Sequence, residues 1–438
     1  MSSPFYRKQA LALKALQIES RDLRKKVMTA LPRAQARLIE AELARVAASG
    51  LPIIAGPFVT EPGIELMFWI PFLRWFLETF DVAPERVLVM SRGGVDGWYA
   101  DVAGRYVDAF DFMTLEEIQG RELYQKDEKQ KPVEILPWEQ SLVERVAAIS
   151  GWTRFEWIHP AMLFNFTRII YNAGPEGDRL LLSMTRHRIM EFPPPAGVSL
   201  DGIPDEFVAM RFYTQATKGA LWDEPRTATA VREYIRLLSD RMDVVDLDPG
   251  MRFTDHTIPK WDFAYAANDR IWELKGRIDL RKNLGTQAWL ISRSKAFTGT
   301  LGGFSCIASL SGVPALTFTA LDGYPFLTPY RRYSLLIFQQ LGVKYAISNP
   351  LHADLARLVD AFGQGPGRDL AGTAPFPWPV GPAARADGGS SHPDDAACAR
   401  VRIPDERWVL RKRIRAKRRN RLRERAKAKS GANPTDVN

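Results

Sequence analysis

Between Lys295 and Asp322 lie 26 residues without a formal charge, AFTGTLGGFSCIASLSGVPALTFTAL. Few folds can place so long an uncharged run. A membrane-spanning helix needs roughly 20 predominantly apolar residues in one stretch. This run is interrupted by Gly299, Gly302, Gly303, Gly312 and Pro314, with Ser and Thr interleaved. It divides instead into a buried strand over 296–298, a glycine turn over 299–303, a short helix over 304–311, a tight turn at 312–313 and a second buried strand over 314–319. A strand that passes through glycines into a helix start is how α/β proteins hold phosphate, because backbone N–H groups and the helix dipole face the anion.

The flanking chain carries the same alternation. Residues 5–49 read as a helical hairpin: Leu13, Leu16, Leu23 and Val27 follow a three-four spacing, and Pro32 opens a second helix through Ile39, Leu43 and Val46. A first α/β domain spans 51–191, with strands at 52–55, 86–90 and 107–112. Its helix over 64–80 has Leu66, Ile70, Leu73 and Leu77 on one face. A further helix starts at Thr114 with a capping-box signal, and another at Pro160. The three prolines at 193–195 stiffen a connector over 192–205. A second α/β domain follows over 206–362, with strands at 207–212, 244–247, 270–274 and 345–347 and helices at 227–241, 283–293 and 330–341. A Gly-, Pro-, Ala- and Ser-rich linker over 363–400 is expected to be disordered, and a basic tail closes the sequence.

Composition limits the function classes. A hydrophobic content of 46% with 12 Trp supports real cores, and 438 residues suggest two or three domains. Cys306 and Cys398 provide neither a disulfide framework nor metal-ligand spacing, and the five His are unpaired, so no metal is expected. Two cysteines fit a reducing, cytoplasmic setting. A secretory signal is not expected, since the N-terminus lacks a clean apolar region, and Glu19 and Asp22 argue against a transit peptide. The formal net charge of +9 is uneven: residues 411–429 hold twelve Arg or Lys and one Glu, leaving the rest at −2. That tail would bind polyanions with strong salt dependence and would be attracted to anionic lipid. No RNA-recognition or helix-turn-helix pattern accompanies it.

Four stretches could carry chemistry. Thr300, Gly302, Gly303 and Ser305 form the glycine turn, which matches neither the dinucleotide nor the Walker pattern. Arg211 and Lys218 lie on a loop past a strand end, where they could neutralise a diphosphate. Glu61 and Glu65 flank a loop after the first strand, and either could take a proton from an attacking hydroxyl. Arg92, Asp96 and Trp98 suit sugar stacking and hydrogen bonding. Each has a plain alternative: a simple turn, solvated charges, a first-turn helix glutamate, or aromatics packed on a helix. His159 before Pro160 reads as a helix entry.

Three segments, 56–75, 208–213 and 296–314, carry a resemblance. They stand here as GPFVTEPGIELMFWIPFLRW, VAMRFY and AFTGTLGGFSCIASLSGVP. Covering roughly 52–350, they resemble bacterial glycosyltransferase-like proteins of surface-polysaccharide loci, within the GT-B glycosyltransferases. The resemblance implies two Rossmann-like domains facing across a cleft, with the nucleotide-sugar donor on the second and a glycan or lipid-linked acceptor on the first. It implies metal-independent, inverting transfer without a cofactor, with Glu61 or Glu65 as base. Arg211, Lys218, Thr300, Gly302, Gly303 and Ser305 would face the donor, and Arg92, Asp96 and Trp98 the acceptor. A clear EX7E motif, used by many retaining members, is absent, and Arg281–Asn283 gives no base-recognition pattern, so stereochemistry and the nucleotide stay open. Two other readings stay open: a non-catalytic GT-B-like protein acting through its tail on membrane or nucleic acid, and a sugar-nucleotide epimerase of the same fold.

Overall fold

The computed structural model describes residues 5, 6, 9, 21–114, 117, 134–170, 175–215, 225–250, 256, 257, 268–319, 329–351 and 353–363, all within one compact unit. Lys218, the linker beyond 363 and the basic tail lie outside these residues.

The chain enters through α1 (Arg21–Ala48), a single helix where a break at Pro32 was expected. An internal proline costs a helix roughly 3 kcal/mol. Ile39, Leu43 and Val46 are fully buried along one stripe of α1, and each contributes roughly 1.5–3 kcal/mol. Packing therefore overrides the local break.

The first sheet contains β1 (Ile53–Ala55), β2 (Val87–Ser91), β3 (Arg105–Asp108) and β4 (Glu156–Ile158), ordered β3-β2-β1-β4 and parallel throughout. Its helices are α2 (residues 62–80), α3 (Pro137–Ile149), α4 (Ala161–Ile170) and α5 (Pro175–Ser183). The start of the helix expected at Thr114 is present as a capping box: Thr114 N donates to Glu117 Oε2 at 3.0 Å and Glu117 N to Thr114 Oγ1 at 3.1 Å. Residues 192–207 then run without helix or strand.

The second sheet contains β5 (Val208–Arg211), β7 (Val244–Asp246), β9 (Ile271–Glu273), β10 (Ala296–Thr300), β11 (Ala315–Phe318) and β12 (Tyr345–Ser348). Its order, β12-β11-β10-β5-β7-β9, is all parallel, and it is the 3-2-1-4-5-6 order of a Rossmann-type sheet. A small antiparallel pair, β6 (Thr214–Gln215) and β8 (His256–Thr257), stands apart. Helices α6 (Pro225–Ser239), α7 (Asn283–Arg293), α8 (Gly303–Leu310), α9 (Pro329–Gln340) and α10 (Leu355–Gly363) complete the unit. One core joins Met210 and Phe212 to Val231, Tyr234 and Leu238 of α6 and to Phe318 of β11. Two Rossmann-like parallel sheets in one chain match the expected α/β class.

The uncharged run is β10, α8 and β11. The strand extends two residues beyond the expected end, through Gly299, where a Cβ would lie 2.0 Å from the Arg211 carbonyl oxygen of the neighbouring strand. Cys306 is fully buried, as a small core residue.

Helix α2 is buried on nearly every side from Glu65 to Leu77. It starts as an α-helix at Pro62–Ile64, loosens to π geometry over Glu65–Trp69, and resumes over Ile70–Phe80. Pro71 has no N–H for the Met67 carbonyl, and His187 Nε2 bonds that carbonyl instead at 2.9 Å. The Phe68 ring stacks on Tyr333 of α9 at 5.0 Å, so α2 is packed by both halves of the fold.

Candidate functional site

Ligands of open α/β sheets sit outside the carboxyl ends of the strands, at the point where strand order reverses. In the second sheet that point lies between β5 and β10. Arg211 ends one of these strands, and Leu301–Gly303 follows the other.

The two candidate bases occupy different environments. Glu65 has no exposed surface. Its Oε1 accepts from Ser91 Oγ and the Tyr99 hydroxyl, and its Oε2 pairs with Arg92 Nη1. Burial raises the Tyr99 hydroxyl well above its usual range, keeping it a donor. Glu65 is therefore an internal anchor without a path to an acceptor. Glu61 is half-buried at the N-terminus of α2, and its side chain makes no cap hydrogen bond.

The three residues expected at an acceptor are separated. Arg92 is buried; besides Glu65 it donates through Nη2 to the Thr60 carbonyl, and its guanidinium lies 5.8 Å from the Phe58 ring centroid. It is committed to the interior rather than to a sugar. Trp98 is 2% exposed, with its ring edge-to-face against Phe192 at 5.6 Å, so it offers no free face for stacking. Only Asp96 is exposed.

On the second sheet, Thr300 Oγ1 accepts from Tyr213 N at 3.0 Å and donates to Tyr213 O at 2.8 Å, stapling the chain after β5. Ser305 Oγ donates to Gly302 O at 2.6 Å and lies 3.1 Å from the Tyr345 hydroxyl. Both hydroxyls serve the protein's own backbone. A Cβ on Gly302 would lie 1.5 Å from the Tyr213 hydroxyl oxygen, so a side chain there would have to displace that ring.

Arg211 is 7% exposed and sits 5.7 Å from the Phe304 ring centroid. Its Nη1 lies 2.9 Å from Asp248 Oδ1, poorly aligned for a hydrogen bond, and its Nε has no acceptor. Asp246, at the end of neighbouring β7, is pushed up to about 7, chiefly by desolvation; Arg211 pulls it down and Asp248 pushes it up. Arg211 is thus already faced by carboxylates. Sequence reasoning missed Asp246 and Asp248, although two Asp before Pro249-Gly250 at a strand end signal a structured turn.

The two halves meet at glycines. A Cβ on Gly303 would lie 2.9 Å from Gly63 N and 3.1 Å from Pro62 Cγ. The N-termini of α8 and α2, one from each half, therefore converge beside Glu61. Each brings partial positive charge. At α2, Pro62 has no N–H and the amides of Ile64 and Glu65 donate to Glu61 O, which leaves the Gly63 N–H. A second contact joins the turn after β2 to α7: Gly285 N donates to Gly93 O at 2.8 Å, and a Cβ on Gly285 would lie 1.9 Å from Gly94 O. Gly97 likewise abuts Pro193 of the connector. His159 is a helix entry as expected: its Nδ1 accepts from Ala161 N at 3.0 Å, and Nε2 lies 3.1 Å from buried Glu139. Among the described residues, no group of three or more His, Cys, Asp or Glu could hold a metal ion, and no helix is long and apolar enough to cross a membrane.

No family profile and no curated protein matches the chain. Among solved structures it is similar to the E. coli ADP-heptose LPS heptosyltransferase II, at 13% identity over 66% of this chain and 98% of that one, with a TM-score of 0.33. It is similar to a glycosyl transferase family 9 protein from Veillonella parvula, at 11% identity over 68% and 86%, with a TM-score of 0.37. It is also similar to the UDP-GlcNAc 2-epimerase from Methanocaldococcus jannaschii, at 12% identity over 72% and 99%, with a TM-score of 0.29. At these identities and scores the likeness carries no statement about reaction, donor or acceptor.

Proposed function

We propose that the protein is a glycosyltransferase that moves a sugar from a nucleotide-sugar donor to a hydroxyl of a glycan or lipid-linked acceptor in envelope polysaccharide synthesis. The observation that carries this reading is the convergence of the α2 and α8 N-termini beside Glu61, next to the strand-order reversal of the second sheet. The acceptor oxygen attacks the anomeric carbon as the bond from that carbon to the diphosphate oxygen breaks, with inversion. Glu61 takes the hydroxyl proton. The charge that develops on the leaving diphosphate is met by the N–H groups of Gly303 and Phe304 and the two helix dipoles, without a metal. Arg211 borders the donor, and Lys218 is a second cation for its diphosphate; Thr300, Ser305 and Gly302 hold the shape of the turn beneath it. Asp96 is the acceptor-side residue left at the surface. Residues 411–429 draw the enzyme to anionic lipid at the inner membrane, where such acceptors reside.

Thermal stabilisation by a panel of nucleoside diphosphates tests the donor site: one base should raise the melting temperature, and no shift with any member would sink the reading. Glu61→Gln should keep that shift and cut transfer to a small residual rate, about 10²–10⁴-fold lower. If the shift is lost instead, Glu61 belongs to the donor side.

A further inference from the structure

We propose that Arg92 is a positioning residue for Glu61: with Glu65 behind it, Arg92 holds the Thr60 carbonyl and so fixes the peptide that carries the carboxylate at the junction of the two helix starts. This inference rests on the transferase reading above.

Arg92 follows the last residue of β2 and points inward, with 6% of its surface exposed. One nitrogen, Nη1, pairs with Glu65, and the other, Nη2, donates to the Thr60 carbonyl. Glu65 is in turn held by Ser91 Oγ and the Tyr99 hydroxyl. The guanidinium is a planar fork, so fixing one arm on Glu65 fixes the direction of the other. The peptide from Thr60 to Glu61 is also planar; its carbonyl oxygen, the Glu61 nitrogen and the Glu61 Cα move together. Gripping the Thr60 oxygen therefore sets where the Glu61 Cα lies. Glu61 N also donates to Thr60 Oγ1 at 2.5 Å, which closes the local geometry.

A buried ion pair is not needed for stability here, since apolar residues of similar volume serve a core as well or better. Its placement explains it. The pair joins the end of β2 to the loop after β1 at the residue before the candidate base. The π geometry of Glu65–Trp69 belongs to the same device: Glu65 is its first residue, and Ile70 N bonds back to Glu65 O. Such insertions in helices recur at functional sites.

The test uses the full-length protein and the nucleotide sugar whose nucleoside diphosphate the panel selects, with water as the acceptor. Water oxygen attacks the anomeric carbon, the bond to the diphosphate breaks, and Glu61 takes the proton; release of nucleoside diphosphate is followed chromatographically. Arg92→Lys keeps the buried charge beside Glu65 but cannot span both partners. It should lower kcat about a hundredfold, the effect of roughly 1 Å of misplacement, while the dissociation constant for the nucleoside diphosphate stays unchanged. In a Glu61→Gln background the same change should alter turnover by less than about twofold, because residues acting through one another are not additive. Tyr99→Phe removes one support of Glu65 without touching charge and should give a smaller loss, again only when Glu61 is present. Equal fold-losses in both backgrounds, or weakened nucleotide binding in Arg92→Lys, would overturn the positioning role. Undiminished turnover in Glu61→Gln alone would instead overturn the base assignment on which the inference rests. Melting temperatures of all variants, measured in parallel, separate these outcomes from loss of fold.

Discussion

Glu61 and Glu65 stand four residues apart at the start of one helix, and the fold gives them opposite roles. Glu65 has all of its contacts inside the protein, and Glu61 is left at the junction between the halves. The difference follows from position at the helix start: Glu61 is the N-cap, with extended backbone outside the helix, whereas Glu65 lies within the buried helix and meets Ser91 and Arg92 at the end of β2. A buried pair of this kind is sensitive to losing one member. Glu65→Gln leaves the Arg92 guanidinium without its counter-charge and should cost about 3–5 kcal/mol, read as a lower urea midpoint. Adding Arg92→Met to Glu65→Gln should recover part of that loss, because no buried charge then remains unpaired. If the double variant is no more stable than the single one, the cost lies in packing and not in charge.

At the scale of elements, the glycine turn and the turn after β2 play the same part. Gly303 lies against Gly63, and Gly285 lies against Gly94, so backbone from one half approaches backbone from the other with no room for a Cβ. Gly285→Ala would place a methyl 1.9 Å from the Gly94 carbonyl oxygen. It should lower stability by about 1–3 kcal/mol, the usual cost of overpacking, or more if the halves cannot shift apart. Gly151→Ala is the control: its φ of +73° is strained for alanine, but nothing lies within 4 Å. It should cost only about 1–2 kcal/mol. Chemical denaturation of the two variants decides whether these contacts hold the halves together. Helix α7 and the strand–helix–strand run were legible in the sequence because apolar spacing and glycine breaks are local signals. The continuity of α1 through Pro32 was not, since it depends on what the stripe of Ile39, Leu43 and Val46 packs against. Nor was the fate of Arg92 and Trp98: a loop with an Arg and a Trp reads alike whether the side chains face a ligand or a neighbouring element. Thr300 and Ser305 teach the same lesson, because a hydroxyl near glycines signals hydrogen bonding without saying to what.

For the whole molecule, acid stability should reflect two half-buried groups that act in opposite directions over one pH range. Asp246 is pushed up to about 7 in the folded chain, mainly by desolvation, against about 3.9 when unfolded. Below about 4 both states hold the proton and the group has no effect. Between about 4 and 7 the unfolded chain ionises and the folded one resists, so this group makes stability fall as pH rises. His187 is pulled down to about 4 by burial, with the Met67 carbonyl opposing that shift, against about 6.5 when unfolded. Between about 6.5 and 4 the unfolded chain takes up a proton that the folded chain refuses, so this group makes stability fall as pH drops. The two slopes oppose each other, and wild-type urea midpoints should change less between pH 4.5 and 6.5 than those of either single variant. Asp246→Asn should expose the His187 slope, with stability falling toward acid. His187→Gln, which retains a donor for Met67 O, should expose the Asp246 slope, with stability falling toward neutrality. A variant pair whose slopes share one sign would show that one of the two groups does not titrate in this environment. The Asp246 half of the result also bears on the candidate site, because the proton it tracks sits beside Arg211 at the end of β7, where the charge facing a donor is set.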